Sequence, residues 1–149
     1  MEIRERSTED LALVKALLTA AALPLDGLEA TRGWVAVADS RVVGHVAAEE
    51  FGESVVLRSL VVAPEARGRG IAGALLRYAE LQSVEKKAYL RTQTINAWVE
   101  RLGYAKLPLE RVPTELKASP EFSGFICSSV PIYVKNAPLP SSDEAWAQE

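Results

Sequence analysis

Between an apolar, β-branched run, Val55–Val62, and a helical pattern that opens at Ile71 stands Pro64-Glu65-Ala66-Arg67-Gly68-Arg69-Gly70. Glycines let a backbone approach an anion closely. The first N–H groups of the following helix have no partner inside the helix, and its dipole adds partial positive charge at that end. Arg67 and Arg69 add full charges with forked donors suited to phosphate. Arg67, Gly68, Arg69, Gly70, Ile71, Ala72 and Gly73 together read as a cradle for a pyrophosphate. A basic surface loop that merely starts a helix is the plainer alternative. The turn is no P-loop, because Gly70-Ile71-Ala72 stands where Gly-Lys-Ser/Thr is required. It is no dinucleotide fingerprint either, since antiparallel strands rather than a parallel βαβ unit precede it.

The elements that must position this turn follow from the spacing of apolar residues. Glu2–Arg4 is a short extended entry. Ser7 caps a helix with Glu9 and Asp10 in its first turn, and Leu11, Val14, Leu17, Leu18 and Ala21 recur at helical spacing before Pro24 stops it. A second short helix fits Leu25–Arg32. Trp34–Ala38, a turn at Asp39-Ser40-Arg41, Val42–Glu49, a turn at Phe51–Ser54 and Val55–Val62 predict an antiparallel meander. Ile71, Leu75, Tyr78 and Ala79 line one helix face up to about Ser83. Lys87–Arg91 is a fifth strand, parallel to the fourth through a right-handed crossover. Thr94–Leu102 is a short helix closed by Gly103, Tyr104–Leu107 a strand, Pro113–Ala118 a short helix and Val130–Val134 the last strand. The fold class expected is α+β with a mixed, mainly antiparallel sheet.

Composition narrows the chemistry. The 149 residues carry a net charge of −3, one histidine and one cysteine. An internal disulfide is impossible and a multi-histidine or cysteine zinc site has no ligands. The acidic balance argues against a broad nucleic-acid surface, and no apolar run approaches a membrane span. A lone cysteine and a charged start fit a cytoplasmic protein. His45 reads as a packed or surface histidine rather than a base, Cys127 as a buried structural cysteine, and Trp34, Tyr89 and Trp98 as core aromatics. From Asn136 the prolines, serines and acids predict a loose tail, 136–149, behind one domain at 1–135.

Leu60-Val61-Val62-Ala63-Pro64-Glu65-Ala66-Arg67-Gly68-Arg69-Gly70-Ile71-Ala72 resembles the acetyl-CoA motif of the GCN5-related N-acetyltransferases (GNAT), Arg/Gln-x-x-Gly-x-Gly/Ala, with Arg67, Gly70 and Ala72 filling its fixed places. The order of elements is similar to the family's from Glu2 to Val134. Asn96 and Glu100-Arg101-Leu102-Gly103-Tyr104 resemble the family's second cofactor segment. Glu49, Leu57–Leu60, Arg101–Tyr104 and Val112–Phe122 also resemble the small acetyltransferases of arsenic-resistance operons.

The resemblance implies a GNAT fold, with the sheet splayed between strands 4 and 5 and helices on both faces. It implies acetyl-CoA as cofactor. Backbone groups of Leu60, Val61 and Val62 would hold its pantetheine arm, Arg67–Gly73 its pyrophosphate, and Asn96 would approach the thioester end. The activity implied is direct transfer, in a ternary complex, to the amine of a small-molecule acceptor, with no nucleic-acid or membrane partner. A non-catalytic CoA-binding sensor and a protein or peptide N-acetyltransferase are the alternatives. An attacking amine must be neutral, and a lysine-like amine with pKa about 10.4 is neutral in roughly one molecule in a thousand at pH 7. Glu49, at the end of the third strand, is the candidate base. Glu50 is its neighbour, and at most one of the two can point inward; two solvated turn acids are the alternative. Arg58 inside the strongest strand, with Ser59 beside it, is placed to clamp an acidic acceptor; an outward salt-bridged arginine is the alternative. Many relatives carry a tyrosine acid where Val99 stands, so none is assigned. The fold commonly dimerises, and exchange of Val130–Val134 would make a homodimer.

Overall fold

The computed structural model describes residues 1–92, 95–119 and 130–136. The expected tail beyond Asn136, Cys127 and the late segment 120–129 lie outside the described residues. So does Thr94.

Seven strands join in the order β1-β2-β3-β4-β5-β7-β6: β1 Glu2–Glu5, β2 Arg32–Ala38, β3 Arg41–Phe51, β4 Ser54–Val62, β5 Lys87–Arg91, β6 Ala105–Leu107 and β7 Ile132–Lys135. The helices are α1 Leu11–Ala20, α2 Ile71–Gln82 and α3 Asn96–Arg101. β4 and β5 pair in parallel over Ser54–Val56 against Lys87–Tyr89, and the β1–β2, β2–β3, β5–β7 and β6–β7 pairs are antiparallel. The mixed α+β sheet expected from the sequence is therefore present, and its parallel pair flanks α2 as predicted. No helix among the described residues is long and apolar enough to cross a membrane.

The chain forms two compact units, one of 1–49 with 57–82, the other of 50–56 with the chain from Ser83 onward. In the first, Asp39 and Ser40 both take left-handed backbone in the turn between β2 and β3, the pairing of conformations that matches strand twist. Residues then alternate across the sheet. Val35 and Ala47 face α1, packing with Val14, Leu18, Leu28 and Val61. Gly44 faces α2, where a Cβ would come within 2.9 Å of Leu75 Cδ1, and Trp34 meets Tyr78 edge-on at 6.2 Å. Helices thus cover both faces of this part of the sheet.

Local chemistry set the helix ends differently from expectation. Ser7 caps a 3-10 turn, Thr8–Asp10, ahead of α1, where Ser7 N–H and Oγ both donate to Asp10 Oδ2. α1 ends at Ala20, before Pro24, because Ala22 turns left-handed. The helix expected at Leu25–Arg32 is a single 3-10 turn, Leu28–Ala30. The one expected at Pro113–Ala118 is also 3-10, Thr114–Ala118. In the second unit Val56, Tyr89, Val112, Leu116 and Ile132 form the core.

Candidate active site

Three of the expected residues meet inside the first unit. Glu49, near the end of β3, holds Oε2 3.7 Å from Arg58 Nη1. The Arg58 side chain is fully buried and that of Glu49 13% exposed. Glu50 belongs to the second unit and faces Lys86 instead, at 3.5 Å. Strand alternation puts the two acids on opposite sides, and Glu49 is the one that turns inward.

Arg58 and Ser59 are consecutive, and in a regular strand they would face opposite sides. Here both are buried, and Arg58 Nε donates to Ser59 Oγ at 3.1 Å. The Ser59 backbone departs from regular strand at this point, with a φ of +55° in the left-handed region. A side chain larger than glycine's costs about 1–3 kcal/mol there and persists only where its surroundings hold it. One support is His45 of β3, fully buried, whose Nδ1 lies 2.9 Å from the Ser59 carbonyl oxygen. Its Nε2 lies 3.0 Å from Arg6 Nη1. Burial pushes the His45 ring down to about 4, with the Arg6 and Arg58 charges adding to the effect and the Ser59 carbonyl opposing it. At neutral pH the ring is uncharged.

The arginine-glycine turn is built on other terms. A 3-10 turn, Pro64–Ala66, follows β4, and buried Ala66 and Ile71 anchor the two ends. Residues 67–70 between them are exposed. Gly68 and Gly70 have φ of +80° and +78°, and a Cβ at either would meet nothing within 4 Å. Glycine is needed there for backbone conformation, and the space over the turn is open. Arg67 Nε donates to the Val62 carbonyl at 3.1 Å, which lays the arginine against the end of β4. The Gly70 carbonyl accepts from Ala74 N–H at 3.1 Å and starts α2, so the N–H groups of Ile71, Ala72 and Gly73 belong to the open first turn. Leu60 is half-buried, and Val61 and Val62 are buried.

Asn96 lies in the second unit. Its Nδ2 donates to Tyr133 Oη at 2.9 Å and to the Thr92 carbonyl at 3.4 Å. Val99 is buried. Among the described residues no group of three or more His, Cys, Asp or Glu could hold a metal ion.

Sequence reading missed the left-handed Ser59 and the pair that supports it. Nothing local marks Ser59, because serine is ordinary in a strand. His45 was legible as a mid-strand residue, packed or at the surface, and its partner Arg6 is 39 positions away.

A family model for the acetyltransferase (GNAT) domain matches residues 29–106, just over half of the chain. No curated protein matches the sequence. Solved structures share the fold. N-acetylglutamate synthase from Neisseria gonorrhoeae, complexed with coenzyme A and L-arginine, is 16% identical with a TM-score of 0.76 over 91% of this chain and 32% of its own. The chain thus spans about a third of that enzyme's length. Rv2747 from Mycobacterium tuberculosis, in complex with CoA, is 19% identical with a TM-score of 0.73 over 91% of this chain and 99% of its own. An aminoglycoside 6'-N-acetyltransferase complexed with coenzyme A is 17% identical, with a TM-score of 0.65, and the match covers 92% of this chain and 97% of that one. At these identities the likeness is one of fold.

Proposed function

The chain belongs to the GNAT acetyltransferase family, and on that premise we propose that it acetylates the amine of a small, acidic, amino-acid-like acceptor with acetyl-CoA. The observation that carries this reading is the inward pair of Glu49 and Arg58, 3.7 Å apart. An α-amino acid presents an ammonium and a carboxylate two bonds apart. A carboxylate beside a buried guanidinium offers the complementary charges at that spacing. Arg58 would hold the acceptor's carboxylate, or the phosphonate of an analogue. Glu49 would take the proton that the ammonium must lose before it attacks. Ser59 Oγ, bonded to Arg58 Nε, fixes the guanidinium plane.

The open turn fits the cofactor by the chemistry of its donors. Two left-handed glycines expose backbone, Arg67 and Arg69 supply exposed charge, and Ile71, Ala72 and Gly73 open a helix. Arg67–Gly73 would hold the diphosphate, and the strand backbone of Leu60, Val61 and Val62 the pantetheine arm. When bound, acetyl-CoA supplies an activated acetyl thioester. The N-acetylglutamate synthase among the structural neighbours works on an acceptor of the same chemical class. A basic peptide, by contrast, would bring a second cation to Arg58.

The test is thermal stabilisation by acetyl-CoA followed by free-thiol release across a panel of glutamate, aspartate, amino-phosphonates, polyamines and a lysine peptide. Saturation at 100 times the dissociation constant adds about 2.7 kcal/mol. Thiol release with an acidic amine, abolished by Arg58→Glu, supports the reading. Release only with polyamines or the peptide overturns the acceptor class. Parallel lines in two-substrate kinetics would rule out direct transfer in a ternary complex.

A further inference from the structure

Arg6, Gly33, His45 and Ser59 lie on four separate stretches of the first unit, yet they form one continuous contact. An arginine guanidinium has donors and no acceptor. Arg6 Nη1, 3.0 Å from His45 Nε2, must therefore donate, and Nε2 must be the bare nitrogen. The proton then sits on Nδ1, which faces the Ser59 carbonyl at 2.9 Å and donates to it. Arg6 is itself held: Nη2 donates to the carbonyls of Thr31 at 2.8 Å and Leu28 at 3.3 Å, and Nη1 to Thr31 Oγ1 at 3.3 Å. Gly33 makes the room. A Cβ there would fall 2.8 Å from Arg6 Cζ and 2.9 Å from His45 Nε2, so any larger residue would push guanidinium and imidazole off one another.

The far end of this contact is the left-handed residue of β4. At this kink the Ser59 hydroxyl accepts from Arg58 Nε, and Arg58 is the residue that meets Glu49. We propose that His45, locked by Arg6 as the Nδ1–H tautomer, is a positioning residue: by holding the Ser59 carbonyl it keeps β4 kinked at Ser59 and so aims Arg58 at the acceptor. His45 touches neither substrate in this assignment and moves no proton. It acts through the backbone of Ser59. The tautomer assignment stands on the hydrogen-bond geometry alone. The kinetic consequence rests on the acceptor-site reading of Glu49 and Arg58.

The experiment has two arms, which fail separately. The chain has a single histidine, so long-range ¹H–¹⁵N correlation on histidine-labelled wild-type protein reads one ring without ambiguity. A neutral ring protonated on Nδ1 at pH 7 is expected. A ring protonated on Nε2, or charged, overturns the proposal whatever the enzyme does. The second arm compares His45→Leu with His45→Asn, whose Nδ2 can stand in for the ring Nδ1–H. His45→Leu should raise the acceptor KM at least tenfold while leaving the acetyl-CoA KM within twofold, and His45→Asn should recover most of the difference. Equal losses for both substrates, or no rescue by asparagine at matched stability, reduce His45 to packing and overturn the proposal. If His45→Leu does not fold, Gly33→Ala serves in its place, read by the same KM split and by a shift of the ring nitrogen signals. If no amine is acetylated at all, the acceptor reading has failed and the tautomer arm still decides whether the relay exists.

Discussion

Left-handed backbone is held in two ways within one short stretch of this chain. At Gly68 and Gly70 the residue type does it: both are exposed, and no neighbour lies near enough to meet a Cβ. At Ser59 the surroundings do it. The residue is a buried serine, its carbonyl bonded to His45 and its hydroxyl to Arg58. The first device is local and can be read from four letters. The second is assembled from β3, β4 and the segment after β1, and it exists only in the folded unit. The open turn suits a flexible anion that arrives from solvent. The supported kink suits a small acceptor whose charges must be met at fixed positions, because preorganised groups cost no reorganisation when the reaction occurs.

The sharpest separation of the two regions comes from Glu49→Gln, which keeps the side chain's shape and removes its basicity. kcat for the acceptor should fall by roughly 10²–10⁴-fold, while the dissociation constant for acetyl-CoA stays within about twofold. Single-turnover thiol release with calorimetric CoA binding measures both. A parallel loss of CoA affinity would mean that the acid and the turn are not independent.

The supported region should also carry the acid sensitivity. His45 is held at about 4, below its ordinary 6.5, by burial. The charges facing it are Arg6, Arg58 and Asp10. The unfolded chain therefore binds a proton between about pH 6.5 and 4 that the folded chain refuses. The His45 contribution is constant above that window and falls by about 3 kcal/mol as pH drops through it. Asp10, held down at about 2 chiefly by its hydrogen bond with Arg4, adds a second loss at lower pH, below about 3.8. Denaturant titrations of wild type and His45→Asn across pH 4 to 7 check the first step, which should vanish in the variant. A wild-type curve that is flat over this range would sink the buried, neutral imidazole.

The open turn should respond to the reverse manipulation. Gly70→Ala places a Cβ in left-handed backbone, a penalty of about 1–2 kcal/mol, with no clash to add because the space is empty. The acetyl-CoA dissociation constant should rise roughly 5- to 30-fold, with the acceptor KM unchanged, by calorimetry and steady-state kinetics. An altered acceptor KM would show the turn and the kink to be coupled.

How much was readable beforehand follows the same division. The turn was legible because its chemistry is contiguous: arginines, glycines and a helix start in one run. The meander, the parallel crossover and α2 were legible from apolar period alone. Glu49 and Arg58 were legible only as candidates, since period-2 alternation says that Glu49 and Glu50 differ without saying which turns in. The short helices were overread. At Leu28–Ala30 and Thr114–Ala118 the segments are too short to repay the nucleation cost of an α-helix and stop as 3-10 turns. The Ser59 kink was invisible because its cause is long-range: Arg6 contacts His45 across 39 positions, and His45 contacts Ser59 across 14.

The smallest expected effect is the most discriminating, because it concerns a sign. Ser59→Ala and Ser59→Gly both delete the hydroxyl that Arg58 Nε bonds, so their difference isolates the backbone. In ordinary strand conformation alanine is the more stabilising of the two by roughly 0.5–1 kcal/mol, since glycine loses more freedom on folding. At φ +55° the Cβ penalty of about 1–2 kcal/mol opposes that entropy and exceeds it. Ser59→Gly should therefore be the more stable variant, by a few tenths to about 1 kcal/mol in chemical denaturation. The same order already holds in the natural sequence at Gly68 and Gly70, where glycine stands and no side chain is crowded. If alanine proves the more stable at position 59, the backbone is not left-handed there in solution. Arg58 would then lose its reason for lying beside both Ser59 and Glu49.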